Sequence, residues 1–417
     1  MRVQLTQGVH LSVVPTTKFK TTRVAVHFLT PLAHTDVAAR TLLTSVLETA
    51  SAEYPTQAEL SAQLEKMFGA SFGIGVGKEG RLHRVSATLN LLDDQFAQED
   101  LLAQGFALLR AVLQAPLTAS GRFDHDIYQR EQHNLNDYLQ SLNEDRQTQA
   151  SLGLQKLYFG ADATQAMPSF GTSETLMQVT PKHLWATYQH MLASDQIEIV
   201  VAGNVDVAAV RALAAQFAFA PRHELEGSLV VDQAPTTVRE QTEVAPVLQA
   251  KLNLGYHVDS DYYGPKHYAA LVANELFGGA PQSKLFMNVR EKASLAYYAS
   301  SSLDALRHLV TVQTGIDADN QSQVSALIAT QLQQVQAGDF SDALLQVVKD
   351  GLMSNRATAF DDPRFIARQA LLQALLPSQP ADLATYVQGI QAVTKAQVMA
   401  AAQTFKLQAR YCLREGE

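Results

Sequence analysis

A chain of 417 residues that is 47% hydrophobic exceeds what one core usually holds, so two domains are expected; its 41 acidic against 32 basic residues, a net charge of −9, leave no electrostatic footprint for nucleic acid or an anionic membrane. The opening MRVQLTQGVHLSVVP alternates apolar and polar residues where a signal peptide shows a basic flank and an apolar run, and no later segment offers about 18 consecutive apolar residues. The only cysteine, Cys412, excludes a disulfide framework and a cysteine-based zinc cluster, so the expected compartment is the cytoplasm.

Strands are expected at Val3 to Val14 and Arg23 to Thr30, where β-branched residues alternate with polar ones, followed by a helix from Asp36 to about Ala52. Thr56-Gln57-Ala58-Glu59 reads as a capping box: the Thr hydroxyl takes an orphan helix N–H while Glu59 reaches back, and Gly69 is placed to end that helix. Two strands, Ala70 to Gly77 and His83 to Leu91, should come next, then helical patterns over Gln95 to Gln114 and Arg122 to Leu157. Val179-Thr180-Pro181 starts a helix with a capping Thr and Pro at its first position, and Ile197 to Ala202 reads as a buried strand.

Between Pro221 and Pro246 the chain turns polar, with Pro235 and several charges, although Leu229 to Val231 could add a short strand. Beyond it the order of the first half repeats. A strand at Leu248 to Val258 leads to a helix from Lys266 to Phe277, a Gly278-Gly279 break, a helix ending near Lys292, strands at Leu295 to Ser301 and His308 to Gly315, and three helical stretches. Val179-Thr180 is echoed by Val393-Thr394, with Leu184 matched by Val398 and Met191 by Phe405 at equal offsets; a common helix-start dipeptide would also produce this echo. The expected fold is α+β, with two homologous domains over 1–222 and 246–417 joined by a linker at 223–245, each a mostly antiparallel sheet with helices packed on one face.

Gly69-Ala70-Ser71-Phe72-Gly73 matches G-x-S-x-G, yet a nucleophile elbow needs a strand before and a helix after, and here the order is reversed. Gly75 to Gly80 matches G-x-G-x-x-G but leads into the alternating His83 to Ala87 rather than a helix, so a hairpin turn is expected. The twelve histidines are scattered. His125 and His133, with Asp126 and Glu131 nearby, come closest to a metal cluster, and a solvated helix face accounts for them better.

The segment NELFGGAPQSKLFMNVREKASLAY, Asn274 to Tyr297, resembles the second-domain signature of the pitrilysin/insulinase peptidases: a Gly-rich turn, a helix carrying Arg-Glu-Lys, then Leu-Ala-Tyr entering a strand. The family's Arg and Tyr stand seven residues apart, as Arg290 and Tyr297 do. Phe170-Gly171-Thr172 and Ile199 to Asp206 resemble the family's first-domain ending, and Val393-Thr394 with Ala400-Ala401-Ala402 its second, so the likeness covers most of the chain. The resemblance implies that Arg290 and Tyr297 contact the substrate backbone and the oxyanion that forms on it, work suited to a forked cationic donor and a rigid hydroxyl. Otherwise Arg290-Glu291-Lys292 is a solvated helix end and Tyr297 a core strand residue.

The family's zinc motif, H-x-x-E-H, supplies two imidazoles one helical turn apart around a glutamate base. Its best register here is Ser45-Val46-Leu47-Glu48-Thr49, which keeps the glutamate and replaces both histidines; Asp137 or Tyr138 falls nearest the third ligand's place. No metal site of its own is therefore expected, and Glu48 is a remnant or an ordinary helix residue. The resemblance implies an inactive chain whose zinc-motif-bearing partner holds the metal while this one binds peptide and supplies Arg290 and Tyr297; the alternative is a peptide-binding or assembly protein with no proteolytic partner.

Overall fold

A computed structural model describes residues 1–119, 121–142, 144–160, 162–231, 233, 237–376, 378–380 and 382–416. The chain divides into two compact units: Met1–Ser141, Pro168–Ser228 and Phe360–Pro377 form the first, and Leu142–Met167, Leu229–Ala359 and Ser378–Glu417 the second. The contiguous halves expected from the sequence run along the chain, whereas these units interleave. A helix of the first half, Arg146–Phe159, packs in the second unit, and a helix of the second half, Pro363–Leu375, packs in the first.

In the first unit, strands β1 (Arg2–Thr6), β2 (Val9–Pro15), β3 (Thr21–Pro31), β4 (Ser71–Glu79) and β5 (Leu82–Leu92) precede a two-residue ribbon of β6 (Thr118–Ala119) and β7 (Arg122–Phe123); β8 (Gln196–Gly203) closes the series. The sheet order is β1-β2-β8-β3-β5-β4, with β2 parallel to β8 and the other neighbours antiparallel. The single strand expected over Val3 to Val14 is a hairpin. It turns at Gly8, whose φ is +70° and where a β-carbon would lie 2.5 Å from Arg222 Cγ, so a side chain there meets both strain and collision.

The helix Gln57–Lys66 carries the expected capping box from Thr56 and Glu59, and Gly69 follows it with φ +71°. The helix expected over Gln95 to Gln114 breaks after Ala97: Gln98 adopts φ +58°, and the Asp94 carboxylate accepts from the amides of Leu101 and Leu102 at the start of Leu101–Gln114. The stretch expected to be helical from Arg122 to Leu157 is β7, then His125–Ser141, then Arg146–Phe159, whose N-cap Asp145 accepts from Gln147 and Thr148. A helix the sequence reading passed over, Val207–Ala215, starts at the capping Asp206.

In the second unit, β9 (Arg239–Val244), β10 (Ala250–His257), β11 (Ala296–Asp304), β12 (Leu309–Ile316) and β13 (Lys406–Arg414) form a sheet of order β11-β12-β10-β13-β9. β9 is parallel to β13 and the rest antiparallel, so this sheet repeats the β4-β5-β3-β8-β2 arrangement of the first unit strand for strand. The duplication is thus visible as topology. Strand β9 lies within the expected linker, no strand forms at Leu229 to Val231, and Pro235 lies outside the described residues. Five α-helices, not three stretches, follow β12 among the described residues.

The echoed threonines cap equivalent helices. Thr180 accepts from His183 and Thr394 from Gln397, at the starts of Pro181–Ser194 and Lys395–Gln403; these helices lead into β8 and β13. Leu184, Met191, Val398 and Phe405 are all buried. In the second unit Cys412 packs with the main core, while its strand neighbours Tyr411 and Leu413 pack with Leu154 and Tyr158 of the Arg146–Phe159 helix. Alternation along β13 therefore gives that sheet its own helices on one face and the exchanged helix on the other.

Candidate functional site

The helix Val37–Thr49 forms because Leu42, Leu43, Val46 and Leu47 fall on its buried side, and its hydroxyls turn inward on their own backbone. Thr41 donates to Val37 O, Thr44 to Thr41 O and Thr49 to Ser45 O, at 2.8 to 2.9 Å. Ser45 and Glu48 are half-buried and Thr49 is buried. Glu48 Oε2 accepts from the Ile74 amide of β4 at 3.2 Å. Burial holds its carboxyl above the usual range, the Ile74 N–H partly offsets this, and the charge of Glu131 adds to it.

Glu131 is thus the residue of the His125–Ser141 helix whose charge reaches Glu48; its side chain is 14% exposed and pairs with Arg130 at 3.0 Å. Asp137 and Tyr138, the sequence's candidates for that place, are exposed, and Asp137 pairs with His133 at 3.3 Å in solvent. His125 stacks against Tyr128. Zinc does not fit these positions: Ser45 and Thr49 offer neutral hydroxyls, the Thr49 proton is committed to a carbonyl, and Glu48 is tied to an amide. Among the described residues no group of three His, Cys, Asp or Glu is placed to hold a metal ion.

Arg290 lies in Phe286–Lys292, a wide-turned π-helical segment, and Tyr297 is the second residue of β11. The Arg290 guanidinium stacks 4.7 Å above the ring of Phe286, one turn back, and its Nε lies 3.6 Å from a Glu291 oxygen. The corner between them is fixed by Ser294, which has φ +53° and donates its N–H to Arg290 O, and by the Leu295 amide, which donates to Val289 O. Ala296 pairs with Ile316 and Tyr298 with Gly315, so Tyr297 is the extra residue of a bulge. Its side chain is 57% exposed, which removes it from the core. Helix, turn and strand thus present both groups to solvent from one corner. Phe286, which sequence reasoning missed, was legible only as an aromatic four residues before Arg290.

The remaining candidates fall into place as structure. Ser71 is exposed on β4 and accepts from Asn90 Nδ2 at 2.8 Å, with a helix before it and a strand after it. Gly80, at φ +58°, turns the β4–β5 hairpin. Cys412 is buried, and burial pushes its thiol up.

A family model described as the peptidase M16 inactive domain matches residues 178–352. The crystal structure of a conserved protein from Enterococcus faecalis V583 is 41% identical with a TM-score of 0.94, covering 100% of this chain and 98% of that one. The probable inactive metalloprotease YmfF of Bacillus subtilis (strain 168) is 29% identical over 418 residues, 98% of this chain and 96% of its own length. The uncharacterized zinc protease YmxG of the same bacterium is 29% identical over 166 residues, 39% of each chain.

Proposed function

The chain belongs to the pitrilysin/insulinase (M16) family of peptidases, and from that premise we propose that Ser45 and Thr49 stand at the family's zinc-histidine positions and that the chain is the metal-free subunit of a two-chain peptidase. It binds polypeptide and supplies Arg290 and Tyr297 to a zinc site carried by a second, zinc-motif-bearing subunit in the cytoplasm. The observation that carries this reading is the contrast between its two candidate sites. Thr49 and Glu48 are consumed by backbone partners, while Arg290 and Tyr297 stand exposed on a corner locked by two backbone hydrogen bonds. Preorganised donors of this kind stabilise a carbonyl oxygen as charge develops on it. That a bacterium encodes relatives called an inactive metalloprotease and a zinc protease supports the division of labour. No helix of the described residues is long and apolar enough to cross a membrane.

The test is reconstitution. The purified chain is expected to cleave no peptide alone and to give a chelator-sensitive endopeptidase when mixed with a zinc-motif-bearing relative from the same cell. If assembly occurs without cleavage, the second reading, an assembly or peptide-holding protein of the same fold, replaces it.

A further inference from the structure

In the first unit, four arginines gather on one face of the sheet although the chain as a whole carries −9. Arg23 of β3 and Arg84 of β5 stand on that face, and from the Pro363–Leu375 helix Arg368 reaches Glu79 of β4 while the charge of Arg364 reaches Arg23. Among the described residues, two carboxylates pair with them. Glu79, 2% exposed, accepts from Arg368 at 2.8 and 3.1 Å and pairs with Arg84 at 3.3 Å; Asp362 takes Arg364 at 3.1 Å. Arg23 donates to the neutral Asn90 at 2.6 Å. Lys18 and Asp361 pair with each other and cancel. Among the described residues, four guanidinium groups thus face two paired carboxylates, an excess of two positive charges.

We propose that this face, bounded by Arg23, Arg84, Arg364 and Arg368, docks an acidic, extended segment of polypeptide. The proposal rests on the peptide-binding reading above and names the class of chain bound. The sheet is shaped for it. Opposite Ser86, β4 presents Gly75, where a β-carbon would meet nothing within 4 Å, so a backbone can approach the strand closely there; at Gly77 the Arg84 guanidinium lies over the strand, 2.9 Å from where a β-carbon would stand. Ser71 and Asn90 extend the face with neutral hydrogen-bonding groups. Arginine forks match carboxylates in bidentate geometry. A nucleic acid is the poorer occupant of a chain that carries −9 overall.

The compactness of the cluster is felt by His27, a buried imidazole whose Nδ1 lies 2.8 Å from Ser86 Oγ. Burial first, then Arg84, Arg23 and Arg368, hold it well below its ordinary value.

A labelled octapeptide of alternating Glu and Ser is titrated into the full-length chain by fluorescence anisotropy, beside a Lys/Ser counterpart and an unlabelled thymidine octanucleotide as competitor. The acidic peptide is expected to bind, to weaken as salt is added, and to lose affinity at least about tenfold in the double variant Arg23→Gln, Arg364→Gln. Arg364→Gln alone, at a side chain 75% exposed, keeps the test open should the double variant fail to fold, and is expected to weaken binding measurably. Equal binding of the acidic and basic peptides overturns this inference and leaves the peptide-binding reading standing. Displacement by the oligonucleotide as effective as by unlabelled acidic peptide overturns the polypeptide assignment, and failure of every peptide to bind overturns both.

Discussion

Glu48 accepts from the Ile74 amide at 3.2 Å, so this half-buried carboxylate is fastened to the backbone of an edge strand. Its carboxyl is held above its usual 4.5, chiefly by burial, so the folded state keeps a proton over a window just above that value where the unfolded chain has lost it. Stability from this group is therefore greatest in acid and falls as pH rises through the window. Glu48→Gln retains an acceptor for Ile74 and removes the charge. It is expected to raise the melting temperature at pH 7.5, with the advantage shrinking toward pH 4; a lower melting temperature at neutral pH would show the carboxylate to be stabilising.

The exchanged helix Arg146–Phe159 seats itself through Gly153, where a β-carbon would lie 2.3 Å from Cζ of Tyr411. Gly153→Val forces the helix away from β13 and is expected to cost about 1–3 kcal/mol in urea unfolding, the usual range for overpacking. Unchanged stability would mean that the helix is not held by this contact.

Three buried histidines set the response to acid. Burial, reinforced by guanidinium charges, lowers His27 well below 6.5 and brings His83 and His267 to about 3. The unfolded chain then binds protons that the folded chain refuses, so the stability these groups contribute is complete above about pH 6.5 and is lost as pH falls. Each adds a slope approaching about 1.4 kcal/mol per pH unit. Between pH 6.5 and 5 the parent should lose stability steeply and His267→Phe less so; a flat profile would contradict the burial of these rings.

For the partnered enzyme, Tyr297→Phe is expected to lower turnover about a hundredfold, on the order of 3 kcal/mol of transition-state stabilisation, while melting close to the parent because the hydroxyl is exposed. Arg290→Ala should lower turnover comparably and also forfeits its stacking on Phe286. Full turnover by Tyr297→Phe would remove the hydroxyl from the chemistry.

Elemental analysis of the chain dialysed against a mild chelator should find well under one zinc per molecule, since the sequence holds no H-x-x-E-H and Ser45 and Thr49, proposed for the two imidazole positions, offer only hydroxyls. A stoichiometric zinc would require a ligand set that these residues do not supply.

By itself the sequence determined what is local. Thr56, Thr180 and Thr394 announced their helices because a cap is written within four residues, and the alternation of β3, β5, β10 and β12 set strands whose faces follow from a period of two. It also carried the absence of any H-x-x-E-H pattern and the Arg290–Tyr297 spacing, both short patterns. Tertiary structure decided the rest. The breaks at Gln98 and Asp145 turn on a left-handed residue and side-chain caps that a helical periodicity runs straight through. The exchange of Arg146–Phe159 and Pro363–Leu375 between units could not be read, because a helix's apolar face does not say which sheet it will cover. The same holds for Arg368 and Glu79, 289 residues apart in the chain and 2.8 Å apart in space: nothing in either residue's neighbours specifies the other, and only the packing of an exchanged helix onto the first sheet joins them.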